Sequence, residues 1–320
     1  MALSKNAKLA ILAVIPLITF LLPAPEGLSL IAWRLLGVYI ATIVGLVIKP
    51  YGEPVILLAA IAVSGIIIGN TEGAKELVKV GNMLDGYKSG TTWLIFTAFT
   101  LSSAFVITGL GKRIAYHMIG AMGSTTLRLG YVTMFLDLLL SPATPSNTAR
   151  SGGIIFPIIN SVAVALGSDP EKSPKKAGRY LMMNVYMVVK TTSYIFLTAM
   201  APNALALSLM APILGFETTW IKWFLAASVP GLICLFLIPL ICYWVSPPEL
   251  KEVDNKAIAK KGLEELGPMS FREKALSVLF VIALFGWIFS DTLHVNATIV
   301  AIIVMVLCIM LSIVTWDDIL

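Results

Sequence analysis

Residues 141–153 read Ser141-Pro142-Ala143-Thr144-Pro145-Ser146-Asn147-Thr148-Ala149-Arg150-Ser151-Gly152-Gly153. Two prolines, five hydroxyls, an asparagine and an arginine separate two short apolar runs, 129–140 and 154–166. The 320-residue chain around them is 58% hydrophobic and only 13% charged, with a mean hydropathy of +0.90. Soluble domains carry roughly 25% charge. The chain is therefore expected to be an all-α, polytopic membrane protein. In lipid a polar, proline-interrupted backbone would leave N–H and C=O groups unsatisfied. The stretch must then be buried in protein or line a wet cavity.

That composition excludes a soluble enzyme, a secreted disulfide scaffold, a disordered tail and a nucleic-acid binder. The net charge of +5 comes from basic residues in membrane-flanking loops, not from a nucleic-acid-binding face. Cys234, Cys242 and Cys308 lie in apolar runs and read as small buried hydrophobes. With His117 and His294 they form no metal-binding or thiol motif. No metal and no cofactor is expected. The first apolar run follows Lys5 and Lys8 as a signal peptide would, but more runs follow, so it is read as the first span.

Apolar runs fall near 10–22, 35–48, 55–68, 93–109, 129–140, 154–166, 180–200, 204–214, 220–245, 275–289 and 297–314. A span needs about 20 residues. Runs 129–140 and 154–166 are too short and are read as the arms of a re-entrant hairpin, 127–166. Residues 180–214 are read as one broken span. About eight transmembrane helices result. With the N-terminus in the cytoplasm, sixteen of the 23 Lys and Arg fall on the cytoplasmic side and five outside, Arg150 and Lys190 being inside the membrane. This bias supports the count. Residues 246–274, opened by Pro247 and Pro248, read as a cytoplasmic linker. Residues 77–84 are a candidate short amphipathic helix. Residues 112–122 are a candidate interfacial helix, with Ile114, His117, Met118 and Ala121 at helical spacing.

Two half-length arms returning to one side would hold 141–153 near the bilayer midplane. Ser146, Asn147 and Thr148 are good N-cap residues for the second arm. Its N-terminus would favour an anion, and the carbonyl end of the first arm would suit a cation. A carboxylate ligand is the leading reading, and a purely structural hairpin is the other. A second break falls at 199–203, where Pro202 cannot continue a hydrogen-bonded helix. The broken span would supply a second wall. Lys190 lies ten residues into that span, and Asp137 is its candidate partner. Arg150 would either attract a carboxylate or brace the loop, and bracing is favoured because a permanent ion pair with substrate would slow its release.

These residues resemble the divalent anion/sodium symporter family. The run Leu140-Ser-Pro-Ala-Thr-Pro-Ser-Asn-Thr-Ala-Arg-Ser-Gly-Gly-Ile-Ile-Phe-Pro-Ile-Ile159 and the run Phe196-Leu-Thr-Ala-Met-Ala-Pro-Asn203 are similar to its branch of citrate/succinate antiporters and 2-oxoglutarate/malate translocators. The resemblance covers essentially the whole chain. It implies a homodimer with a scaffold domain and a moving transport domain, working by elevator-type alternating access. It implies two inverted repeats, each with a hairpin carrying Ser-Asn-Thr and a broken helix, with substrate carboxylates between them. Ser146, Asn147 and Thr148 would be the first motif, with Pro202 and Asn203 in the first broken helix.

Two departures matter. Pro142 and Ala199 stand where sodium-coupled members tend to have a hydroxyl and a glycine, which weakens a sodium site near Pro142, Ser146, Asn147 and Ala199. A second Ser-Asn-Thr is absent from 246–320, so the chain is expected to be a fragment, its first repeat complete and its second cut off. The expected parts are scaffold helices and interfacial helix (1–122), a transport part (123–245) with the hairpin (127–166) and broken helix (180–214), the linker (246–274), and the start of a second scaffold (275–320). The expected function is exchange of di- or tricarboxylates such as 2-oxoglutarate, malate, succinate or citrate. The alternatives are a sodium-coupled symporter, an inactive membrane fragment, and a membrane enzyme, for which no nucleophile–base pair or metal set is found. The expected location is a bacterial inner membrane, or alternatively the plastid inner envelope.

Overall fold

The computed structural model describes residues 4–74, 78–215 and 218–318. Among these residues the secondary structure is helical apart from one isolated bridge, Thr125 with Glu252. The chain forms two compact units, Met1–Ser89 and Gly90–Leu320. The first holds α1 (Lys5–Leu21), α2 (Leu30–Ile48) and α3 (Glu53–Gly69). Ser4 and Ser29 cap α1 and α2 by accepting from the N–H of Ala7 and Ala32. The expected amphipathic helix at 77–84 is instead a 3-10 turn, Val80–Leu84, running into the short helix Asp85–Lys88. Leu77 lies outside the described residues.

The second unit holds α4 (Gly90–Thr108), α5 (Leu110–Met122), α6 (Thr126–Leu140), α7 (Thr148–Ala165), α8 (Gly178–Ile195), α9 (Ala201–Leu214) and α10 (Trp220–Val245). Then come α11 (Asn255–Leu266), α12 (Phe271–Ile288) and α13 (Ala297–Met310). The distribution of side chains is inverted relative to a soluble protein. Leu225, Val229, Ile233 and Leu237 line the outside of α10, while Asp137, Arg150, Asn184 and Thr192 are buried. Exposed apolar surface on this scale needs lipid around it. By length and composition α2, α4, α7 and α10 can cross a membrane, and α3, α9 and α13 are shorter apolar helices.

Three sequence expectations are corrected. The second hairpin arm is not half-length: α7 runs 18 residues from Thr148, or about 27 Å. Its polar first two turns, Thr148–Ile155, are π-helical, and an apolar-run count overlooks them. The 246–274 segment is not a simple linker, because α11 packs along α5. Asn255 Nδ2 donates to the Ile119 and Gly120 carbonyls at 2.9 and 2.8 Å, and Gly262 sits against the Tyr116 ring. That packing also selects a different face of α5. Gly111, Ala115 and Ile119 are buried, whereas His117 and Ala121 are exposed.

α8 packs against α6, α7 and α10 and so forms the axis around which the site is assembled. Gly130 makes the α6–α8–α10 approach possible. A Cβ there would strike the Tyr180 hydroxyl and come within 3.4 Å of Pro239. Tyr180 donates to the Pro239 carbonyl at 3.3 Å, and Asn184 Nδ2 donates to the Gly130 carbonyl at 3.0 Å. Gly130→Ala should cost about 1–3 kcal/mol by overpacking. The thermal unfolding midpoint in detergent checks this against Gly152→Ala, whose Cβ would meet open space. Equal midpoints would remove the argument.

Candidate functional site

Two interrupted helices meet in the second unit. The first interruption follows α6. Ser141 and Thr144 return their hydroxyls to the carbonyls of Leu138 and Leu140 at 3.0 and 2.8 Å, which ends α6 in the short 3-10 turn Ser141–Ala143. The second follows α8: residue 196 is extended, Leu197–Ala199 form a 3-10 turn, and Pro202 sits in the first turn of α9. The break thus begins three residues before the expected 199–203. Asn203 Nδ2 donates back to the carbonyls of Ser193 and Phe196, at 2.7 and 3.2 Å, satisfying the frayed end of α8.

The two interruptions are joined to each other. Ala201 N–H donates to the Pro145 carbonyl at 2.9 Å, and Thr198 Oγ1 donates to the Pro142 carbonyl at 2.6 Å. Trp220 Nε1 donates to Thr198 Oγ1 at 3.0 Å. Phe196, Trp220 and Phe224 stack, and Trp220 also stacks on Trp287, so α10 and α12 pin the break from behind.

Arg150 lies fully buried at the centre. Its Nε donates to Asp137 Oδ1 at 2.8 Å. Its Nη1 donates to the carbonyls of Thr144 and Ala199, at 2.8 and 3.1 Å. Its Nη2 donates to Asn147 Oδ1 and Thr192 Oγ1, at 3.1 and 3.2 Å. The Thr192 hydroxyl also donates to Asp137 Oδ2. One planar guanidinium therefore reaches α6, the hairpin tip, α8 and the break. The expected Asp137–Lys190 partnership is overturned. Lys190 is exposed, with Nζ 5.3 Å from the Tyr186 ring centre. Residues two apart on a helix face different ways, and Thr192 is the one that turns inward.

Ser146, not Asn147, closes the start of α7: its Oγ accepts from Ala149 N–H at 3.2 Å and its carbonyl accepts from Arg150 N–H at 2.9 Å. Asn147 makes no cap bond; its amide holds Arg150 and touches Met200 Sδ at 3.5 Å. Thr148 and Gly152 face outward. Beside them Ala149 and residues Phe99, Ser102, Ser103, Val106 and Ile107 of α4 line a recess of about 190 Å³, with Asp318 at its edge. The Ser102 hydroxyl is buried there and has no hydrogen-bond partner among the described residues. Pro145 lies against Leu94, Ile95 and Ala98, so the tip is level with the middle of α4. Ser102, Thr144, Thr192 and Thr198 were not among the sequence candidates. Thr144 lies in the hydroxyl-rich stretch 141–153 and Thr198 in the run 196–203, whereas Ser102 and Thr192 lie in apolar helices.

A charged, hydrogen-bonded knot enclosed by apolar helices marks a functional interior in a membrane protein. The model of the sodium:sulfate symporter transmembrane region matches residues 3–320. A Haemophilus influenzae protein described as an uncharacterized transporter is 96% identical over 320 residues, all of this chain and 67% of its own length. Inner membrane protein YbhI of Escherichia coli (strain K12) is 61% identical over 313 residues, 98% of this chain and 65% of its own. The citrate/succinate antiporter of the same organism is 34% identical over 318 residues, 94% of this chain and 64% of its own. The chain thus spans about two thirds of the length of these relatives. It belongs to the sodium:sulfate symporter transmembrane family, the divalent anion/sodium symporters that its motifs resemble, which are membrane transporters and not enzymes.

Proposed function

We propose that this chain forms the first substrate-binding wall of a carrier that exchanges di- and tricarboxylates, of the 2-oxoglutarate, malate, succinate and citrate class, across a bacterial inner membrane. The observation that carries the reading is the start of α7. It lies beside α4, its first turn presents the outward Thr148 next to the half-buried Ser146 at the positive end of the helix dipole, and Ser102, whose hydroxyl has no partner among the described residues, lines the neighbouring recess. Asp318 opposes an anion at that edge, so the carboxylate would sit toward Thr148. The citrate/succinate antiporter's name supports the substrate class, and YbhI's supports the membrane. Homodimers, elevator motion, eight spans, a cytoplasmic N-terminus and the division into scaffold (1–122) and transport part (123–245) belong to the same proposal.

Exchange is favoured over sodium coupling for a geometric reason. Four carbonyls at the tip and break that would suit a cation each already accept a hydrogen bond. Arg150 takes those of Thr144 and Ala199, Thr198 takes that of Pro142, and Ala201 takes that of Pro145. Counterflow in proteoliposomes tests the reading: succinate uptake should require internal dicarboxylate and ignore sodium. Uptake driven by a sodium gradient into empty vesicles would favour the symporter instead. Asn147→Ala should weaken substrate binding, roughly tenfold for one lost charge-linked hydrogen bond at the site. An unchanged KM and rate would leave the tip a structural element.

A further inference from the structure

In the first unit α1 and α3 both pack on α2 and leave a cleft between them. Gly45 of α2 lets both approach: a Cβ there would lie 3.0 Å from Ile56 and 3.2 Å from Leu12. The cleft has a volume of about 380 Å³ and is lined by Leu12, Pro16, Ala41, Val55, Ala59 and Val63. That falls within the size range of small-molecule sites. Pro50 and Tyr51 close one end. At this end α1 begins, α2 stops and α3 begins, and three lysines gather. Lys5 Nζ stands 4.1 Å over the Tyr51 ring, Lys8 Nζ donates to the Ile48 carbonyl at 2.5 Å, and Lys49 Nζ pairs with Glu53 at 2.8 Å. An ammonium has three donors, so each lysine retains donors for another acceptor. Glu53 cancels one charge and leaves two positive charges at the mouth of an apolar slot.

We propose that this unit binds one anionic phospholipid, with an acyl chain in the α1–α3 cleft and the phosphate held by Lys5, Lys8 and Lys49. The slot matches the chain, and the lysine stems reach the headgroup level with their charges outermost. A zwitterionic headgroup would bring its own cation to the same place. The uncompensated pair of charges therefore selects a net negative lipid. The site is built from residues of the first unit alone and does not depend on the carboxylate reading.

Native mass spectrometry of the protein released from micelles with equal dioleoyl-phosphatidylglycerol and dioleoyl-phosphatidylcholine tests the proposal. Wild type should retain the glycerol lipid over the choline lipid by about tenfold or more. Lys5→Gln/Lys8→Gln/Lys49→Gln should bring the ratio close to one, while Lys222→Gln/Lys251→Gln/Lys256→Gln, with the same charge loss, should keep it. Ala59→Phe, which fills the cleft, should lower retention of both lipids; Ala13→Phe fills it from the α1 side if the first variant does not fold. Equal retention by wild type, or a preference that survives the lysine triple, would overturn the proposal. So would undiminished lipid in the cleft-filled variant, whether or not that variant also splits a dimer, since the cleft would then belong to a second copy or to nothing.

Discussion

Arg150→Ala should cost about 3–5 kcal/mol of stability, the loss expected when one partner of a buried ion pair is removed. The reason is local. Asp137 is 1% exposed and would keep only the Thr192 hydroxyl against its charge. The carbonyls of Thr144 and Ala199 would lose their shared donor, and the hairpin tip one of its ties to the break. Asp137→Ala should cost a similar amount, because the guanidinium would be left with neutral acceptors only. The double variant Asp137→Leu/Arg150→Met removes both charges and should recover much of the loss. Arg150→Lys should recover little, since an ammonium cannot reach acceptors on four segments in one plane. A double-mutant cycle from reversible unfolding in mixed micelles gives the coupling energy. Coupling near zero would show that the pair does not hold the tip.

Glu273→Ala is expected to have the second largest effect. Arg113 Nε donates to Glu273 Oε1 at 2.6 Å, and its Nη1 donates to the Gly267 carbonyl at 3.0 Å. Both side chains are nearly buried. The Glu273 carboxylate also accepts from Ser270 N–H at 2.7 Å, while Ser270 Oγ accepts from Glu273 N–H at 3.2 Å, which is a complete capping box at the start of α12. Truncation would leave the Arg113 charge unpaired between α5 and α12 and would remove the acceptor of Ser270 N–H, half of the capping box, while the Ser270 hydroxyl still caps α12. The cost should be about 3–5 kcal/mol. Glu273→Gln keeps the cap acceptor but not the charge, and should fall between. Thermal midpoints of the three proteins decide the order; if Gln matches Ala, the cap contributes nothing separate from the charge.

Arg113 and Glu273 also illustrate what a linear reading misses. They are 160 residues apart, and nothing in either local pattern pairs them. The 246–274 segment looks like a connector because it is polar and begins with Pro247 and Pro248. A polar helix that packs on another polar helix at a membrane surface has the same composition as a connector. Gly262 against Tyr116 is what makes α11 part of the fold. In the same way Asp137 and Lys190 were opposite charges within membrane-buried runs, and charge alone suggested a pair. Helical phase separates them, and the choice of Arg150 depends on which faces of α6 and α8 turn toward the tip.

The sequence by itself determined that this chain is helical and membrane-embedded, because no soluble fold hides 58% hydrophobic residues behind 13% charged ones. It also located the two interruptions, since prolines and clustered hydroxyls cannot lie in lipid unpartnered. The tertiary structure decided how those interruptions are satisfied. Acceptors on five residues from four segments converge on one guanidinium, and the tip carbonyls of Pro142 and Pro145 go to the break. Such a knot is a set of three-dimensional distances between residues tens of positions apart. A buried polar group must find partners, but only the packed chain determines which ones are within reach.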